Sequence, residues 1–285
     1  MAVTQTTLTS AGAWSPDLTE VAPEIAVPDA LILQTSTVAA SIEGDAAVVR
    51  VQYVDDATAG FFGEGTIIDT AEPDLSECLV YSGKIAQVIR LSREQFTQPN
   101  AANLLSTSVA RAVTKAGNLA YVNQVVPTPP ALSPPAGLLH VDGIVNGGEI
   151  ADDLDVLVDM LATLATNGSE PSHILMSPTA WASLRKLKIG VDFNSTLLGT
   201  GATDAQKFLL DLPVIVSPAA PADTGCVIDK NAVVSAVGNV QVAQSEHAFF
   251  NSDSIAIRCT WRFGANVVKP ERIGKFTVAA PDEGS

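Results

Sequence analysis

The stretch from Ala59 to Gln124 constrains the fold of this chain more than any other. It begins with an apolar loop tip, Phe61-Phe62-Gly63-Glu64-Gly65, returns through a strand-like segment from Cys78 to Glu94, and ends in a helical run from Asn100. This order describes a long hairpin projecting from a domain, followed by one long helix. Neither part carries catalytic chemistry. A hairpin of this length cannot bury its apolar tip against itself, so Phe61 and Phe62 need a partner surface. The competing reading is a small satellite core beneath the loop.

The flanks of the tip are acidic. Asp55, Asp56, Glu64, Asp69, Glu72, Asp74 and Glu77 occur there with no Lys or Arg. The whole chain has a net charge of −15, with 47% apolar and only 16% charged residues. That balance is globular, and the low charge suggests surface covered by other subunits. Basic patches with interleaved aromatics, the mark of a general nucleic-acid binder, are missing from the sequence.

The three cysteines, Cys78, Cys226 and Cys259, form no CxxC pair, and buried free thiols are expected. The N-terminus lacks the basic and apolar regions of a signal peptide, and no apolar run is long enough to span a membrane. The start at Met1 implies that no front-end propeptide is removed, and the cysteine usage that the compartment is reducing.

The periodicity predicts an α+β chain with mixed sheets and two or three principal helices. Residues 1–46 are rich in Ser, Thr, Ala and Pro and read as an arm with no core of its own, with a short helix after Pro28. Val48–Val54 reads as a strand, with Val49, Val51 and Tyr53 on one face, and Cys78–Leu91 as one long return strand. In the following helix, Leu105, Val109, Ala112, Ala116, Leu119 and Ala120 mark the apolar face. A proline-rich connector, Pro127–Gly137, separates two parts of the chain. Beyond it come a helix from Ile150 to Leu164 closed by Asn167-Gly168, a strand His173–Met176, and a helix capped by Ser177 with Pro178 first. Short strands follow at Leu212–Val216 and Gly225–Ile228, and a half-buried strand alternates through Ile255, Ile257, Cys259 and Trp261.

Candidate chemistry is sparse. Asp152, Asp153, Asp155 and Asp159 read as acids on the first turns of a helix, where the macrodipole favours them, and not as a metal site. His140, His173 and His247 match no metal-ligand spacing. No nucleophile elbow or phosphate loop occurs. No catalytic residue, metal or cofactor is assigned, and the chain is not expected to be an enzyme.

At these residues the chain resembles the tailed-phage major capsid proteins of the Hong Kong 97-type fold. Ala59 through Phe96 is similar to the family's extended loop, with its aromatic-Gly-Glu-Gly tip and the Ser92-Arg93-Glu94 that precedes the spine helix. Ile174-Leu175-Met176-Ser177-Pro178 through Leu184-Arg185-Lys186-Leu187-Lys188 resembles a strand and capped helix of that family. Leu212–Ser217, Asp253–Gly264 and Val267–Glu271 resemble its later strands.

The resemblance implies an N-terminal arm (1–46), an extended loop hairpin (47–91), a peripheral domain with a spine helix (92–136), an axial domain (137–240), and strands returning to the peripheral domain (241–285). It implies hexamers and pentamers closing into an icosahedral shell that encloses double-stranded DNA without sequence-specific binding. The shell would assemble in the host bacterial cytoplasm and reside in the virion. A portal, a separate scaffold protein and a decoration protein are further partners it leaves room for, and no membrane is involved. Phe61, Phe62, Glu64, Ile67 and Ile68 would make the intersubunit contact, with Arg258 or Arg262 as charge partners. Some family members cross-link through a loop lysine, but Val51 to Gly83 contains none, so a noncovalent hold is expected. An encapsulin-like compartment is the alternative within the same fold.

Overall fold

The computed structural model describes residues 18–44, 46–55, 74–96, 101–131, 133–187 and 207–279. The loop tip, with Phe61, Phe62, Glu64, Ile67 and Ile68, lies outside them.

The chain opens with β1 (Leu18–Val21), α1 (Pro23–Ala26), α2 (Leu31–Thr35) and β2 (Thr37–Ile42). The hairpin strands are β3 (Val48–Asp55) and β4 (Asp74–Tyr81). Next come β5 (Gly83–Ser92), the short α3 (Arg93–Phe96) and the long α4 (Ala101–Asn123). After the proline-rich connector come β6 (Val145–Ile150), α5 (Asp155–Thr166), β7 (His173–Met176), α6 (Pro178–Lys186), β8 (Phe208–Leu209), β9 (Leu212–Val216) and β10 (Thr224–Ile228). The chain then continues through β11 (Val233–Gly238), β12 (Val240–Phe249), β13 (Ser254–Val267) and β14 (Gly274–Val278).

These strands form two six-stranded sheets and the β3–β4 ribbon. The first sheet runs β1-β12-β13-β11-β2, with β5 also on β13; the second runs β6-β14-β10-β7-β9-β8. The long β13 is the axis of the first sheet, because its first part pairs with both β5 and β12 and its last part with β11. One core lies between this sheet and α4, around Trp261, Val113 and Ile228. A second holds Leu157, Leu164, Leu184 and Phe276. A third, smaller cluster lies under the hairpin.

Several expectations need correction. The arm does not lack a core from residue 18 onward: β1 pairs with β12, β2 pairs in parallel with β11, and Val27, Ala30, Leu31 and Ile32 are buried. Polar pairing fixes α2 under α4, since Leu31 N donates to Asn118 Oδ1 and the hydroxyls of Thr35 and Tyr121 lie 3.0 Å apart.

The single return strand is two strands. The chain turns at Ser82, whose N–H donates to the Ala47 carbonyl and whose hydroxyl donates to that of Ala46. These bonds close the hairpin base, and β5 then leaves to pair with β13 along its whole length.

In α4 the buried line is Val109, Val113, Gly117 and Tyr121, with Val122 beside it, while Ala116 and Leu119 are exposed. The helix is rolled away from the expected face because Gly117 lets it approach Trp261 closely. A Cβ at Gly117 would lie 2.6 Å from the indole.

In the second part, α5 starts at Asp155, so Asp152 and Asp153 precede the helix, and Ile150 ends β6. The helix cap at Ser177 is present as expected, accepting from Ala180 N at 3.1 Å with Pro178 first in α6. Sheet membership also differs from the expected boundaries. β11 joins the first sheet, and β14 pairs with β10 and β6 in the second. Phe276 of β14 is held there by its ring, which packs on Gly225 where a Cβ would lie 2.3 Å away. All three cysteines are free and buried.

Candidate intersubunit surface

The first sheet has two unlike faces. Along β5 the side chains alternate, with Ile85 and Ile89 packed on the core beneath α4, and Lys84, Ala86, Val88 and Arg90 pointing away. Residues directly opposite each other in paired strands share a face. Lys84 faces Arg262, Ala86 faces Thr260, Val88 faces Arg258 and Arg90 faces Ala256. The face away from α4 therefore gathers Lys84, Arg90, Arg258 and Arg262 around Val88, which is 59% exposed.

The cations differ in their surroundings. The Arg90 guanidinium lies 4.9 Å from the centroid of the Phe249 ring, a cation–π contact. Arg262 and Lys84 line a polar recess of about 300 Å³ together with Glu20 and Glu43 of the same chain. Arg258 is exposed and lies outside that recess. At the end of β13 nearest α3, Arg93 pairs with Asp253 at 2.9 Å and with Glu246 at 3.7 Å, tying α3 to the sheet.

The hairpin rises from this same face. Gly264, two residues beyond Arg262 on β13, lies under β4, where a Cβ would sit 2.2 Å from the Tyr81 carbonyl oxygen. Asn266 Nδ2 donates to the Leu79 carbonyl at 3.0 Å. Val51, Cys78 and Val80 of the hairpin pack on Val234 and Ala236 of β11 and on Ile42. The seat is thus part backbone contact and part apolar cluster. The exposed Arg50–Glu77 pair across the ribbon, at 3.5 Å, adds little.

Of the expected site residues, the structure brings Arg258 and Arg262 to one face, and the loop-tip residues lie outside the described part. Sequence reading missed Lys84 and Arg90 on that face and Gly264 beneath the hairpin. The alternation along β5 could have found the first two; nothing local marks Gly264. Two of the three histidines have polar neighbours within the chain. His140 Nε2 lies 2.9 Å from Asn123 Oδ1, and His173 Nδ1 lies 3.1 Å from Ser172 Oγ. Among the described residues no three of His, Cys, Asp and Glu converge as a metal site would require.

A model of the phage capsid family matches residues 24–278. The chain belongs to the phage capsid family. This capsid protein is similar in structure to a chain of Gordonia phage Cozz, with a TM-score of 0.67 at 17% identity over 88% of this chain and 87% of that one. It is similar to the capsid of a native GTA particle, with a TM-score of 0.65 at 17% identity over 98% and 96%. A chain of Mycobacterium phage Bobi aligns with a TM-score of 0.61 at 15% identity over 90% and 91%. At these identities the likeness speaks for the fold, which is the Hong Kong 97 type. No curated protein matches the sequence. As a family member with this fold, the capsid protein is a major capsid protein of a tailed phage, a component of the virion that forms a shell from capsomers of many copies.

Proposed function

We propose that this capsid protein closes into an icosahedral shell of hexamers and pentamers around double-stranded DNA, held by noncovalent contacts. The observation that carries the reading is the seat of the hairpin: β3 and β4 are fixed by backbone contact on Gly264, on the face that carries Arg258 and Val88. A ribbon held at its base and projecting from the body is suited to reach a neighbour. The hairpin, residues 48–81, acts as the extended loop, and 92–136 with α4 as the spine of the peripheral domain. The axial domain falls within 137–240, extended by β14.

In this reading the loop of one copy overlaps the next copy in a capsomer. Phe61, Phe62, Ile67 and Ile68 are its apolar anchors, and the acids flanking the tip, Glu64 among them, meet Arg258 or Arg262. Such contacts are heterologous and close only at a defined curvature, so many weak contacts add up to a shell. Assembly takes place in the host bacterial cytoplasm, with a portal and with a separate scaffold protein and a decoration protein as further partners. The role is structural, with no catalytic step and no cofactor. The family match favours a DNA-enclosing shell over the encapsulin-like alternative.

Replacing residues 57–74 with a short Gly-Ser turn tests the anchor. Folded subunits that no longer form closed shells are the expected outcome; normal shells would remove the loop from the mechanism.

A further inference from the structure

Between Glu94 and Asp142 the chain has no acidic residue, although it carries 31 acids in 285 residues. That interval contains α4. A surface helix ordinarily displays charges on its polar face, and acids in its first turn are favoured by the macrodipole. α4 has no acid in its first turn or anywhere else. Its exposed residues include Ser108, Arg111, Lys115 and Leu119, a stripe at spacings of three and four. Arg111 and Lys115 lie about one turn apart, roughly 6 Å along the axis. Neither makes a salt bridge with a described residue.

The roll of α4 is fixed by Gly117 against Trp261, so these cations cannot turn inward. They face away from the first sheet, whose other face carries Arg258. Both line a groove of about 400 Å³ with Pro28, Thr114 and Ser217, in which Asp29 is the one acid. In a chain of net charge −15, a long helix with no acid of its own and two exposed cations is suited to close approach by a polyanion.

We infer that the exposed face of α4 lies against the phosphodiester backbone of enclosed duplex DNA, with Arg111 and Lys115 as phosphate contacts and Ser108 as a neutral hydroxyl partner. The contact reads no sequence, because backbone contacts carry none. The inference rests on the reading of the chain as a shell subunit around DNA.

The test is binding of a labelled random-sequence DNA duplex to purified capsomers across a salt series. The slope of log affinity against log salt is expected to be shallower in the Arg111→Gln/Lys115→Gln variant than in the parent by about 1.8 per bound chain, and by about 0.9 in each single variant. Arg258→Gln/Arg262→Gln, on the opposite face, should leave the slope unchanged. Equal affinity and slope in parent and Arg111→Gln/Lys115→Gln would overturn the inference, as would a slope that follows Arg258 and Arg262 instead. Polyglutamate displacing the duplex more effectively than unlabelled DNA of equal charge would assign the face to an acidic protein and also overturn it. Electron microscopy of the same preparations separates the two readings. Closed shells with unaltered duplex binding strike only this inference, whereas a parent that forms no shells strikes the shell reading itself.

Discussion

Gly117 of α4 lies directly against the indole of Trp261, so close that a Cβ would stand 2.6 Å from a ring carbon. Trp261 is 1% exposed, its indole N–H donates to the Gly238 carbonyl at 3.1 Å, and its ring centroid lies 4.5 Å from that of Phe263. It has no direction in which to yield. Gly117→Ala would gain about 1 kcal/mol in helix propensity and lose about 1–3 kcal/mol to overpacking. A net loss of stability is expected, read as a lower urea midpoint at unchanged slope. A raised midpoint would show that α4 does not depend on this contact.

At Gly264 the opposing atom is the Tyr81 carbonyl oxygen, 2.2 Å from where a Cβ would be. Backbone cannot step aside as a side chain can. Gly264→Ala should therefore lift the hairpin from its seat and cost more than Gly117→Ala, about 2–3 kcal/mol. Urea unfolding gives the cost, and the yield of closed shells from equal amounts of folded subunit gives the effect on assembly.

Burial pushes the Cys226 thiol from its ordinary 9.0 up to about 12. Burial likewise raises the Tyr121 hydroxyl, against a lowering by its hydrogen bond to Thr35. In both groups the folded state holds the proton more firmly than the unfolded state. Their contribution is complete below pH 9 and declines as pH rises from there toward 12, by up to about 1.4 kcal/mol per pH unit for each group. Unfolding midpoints measured at pH 7, 9 and 10.5 should be level over the first interval, as far as these groups contribute, and fall over the second. Cys226 should also resist thiol reagents until the protein is denatured.

The hairpin segment from Val51 to Gly83 contains no lysine. Lys84 is exposed on β5 at the hairpin base, opposite Arg262, and lines the recess with Glu20 and Glu43. Shells boiled in detergent should run as monomer on a denaturing gel. A ladder of covalent oligomers would contradict the noncovalent account.

What could be read from sequence was what local chemistry decides. Ser177-Pro178 marks a helix start, Asn167-Gly168 a helix stop, and alternation from Ile255 to Trp261 a strand; each is complete within a few residues. The roll of α4 was misread because Leu119, 51% exposed, is more apolar than Gly117, and only the distant Trp261 makes the glycine the contact point. The break at Ser82 depends on Ala46 and Ala47, and the place of β14 depends on Gly225 receiving Phe276. Residues 18–42 read as an arm because their partners, β11 and β12, lie near the other end of the chain. At the candidate surface, Arg258 and Arg262 were legible as cations on a strand. Lys84 and Arg90 joined them only once the β5–β13 register was known.

Negative-stain electron microscopy of the purified protein tests the central claim most directly. Closed shells of uniform diameter are the predicted result. A population of dispersed single chains at the same concentration, with no capsomers and no shells, would contradict it.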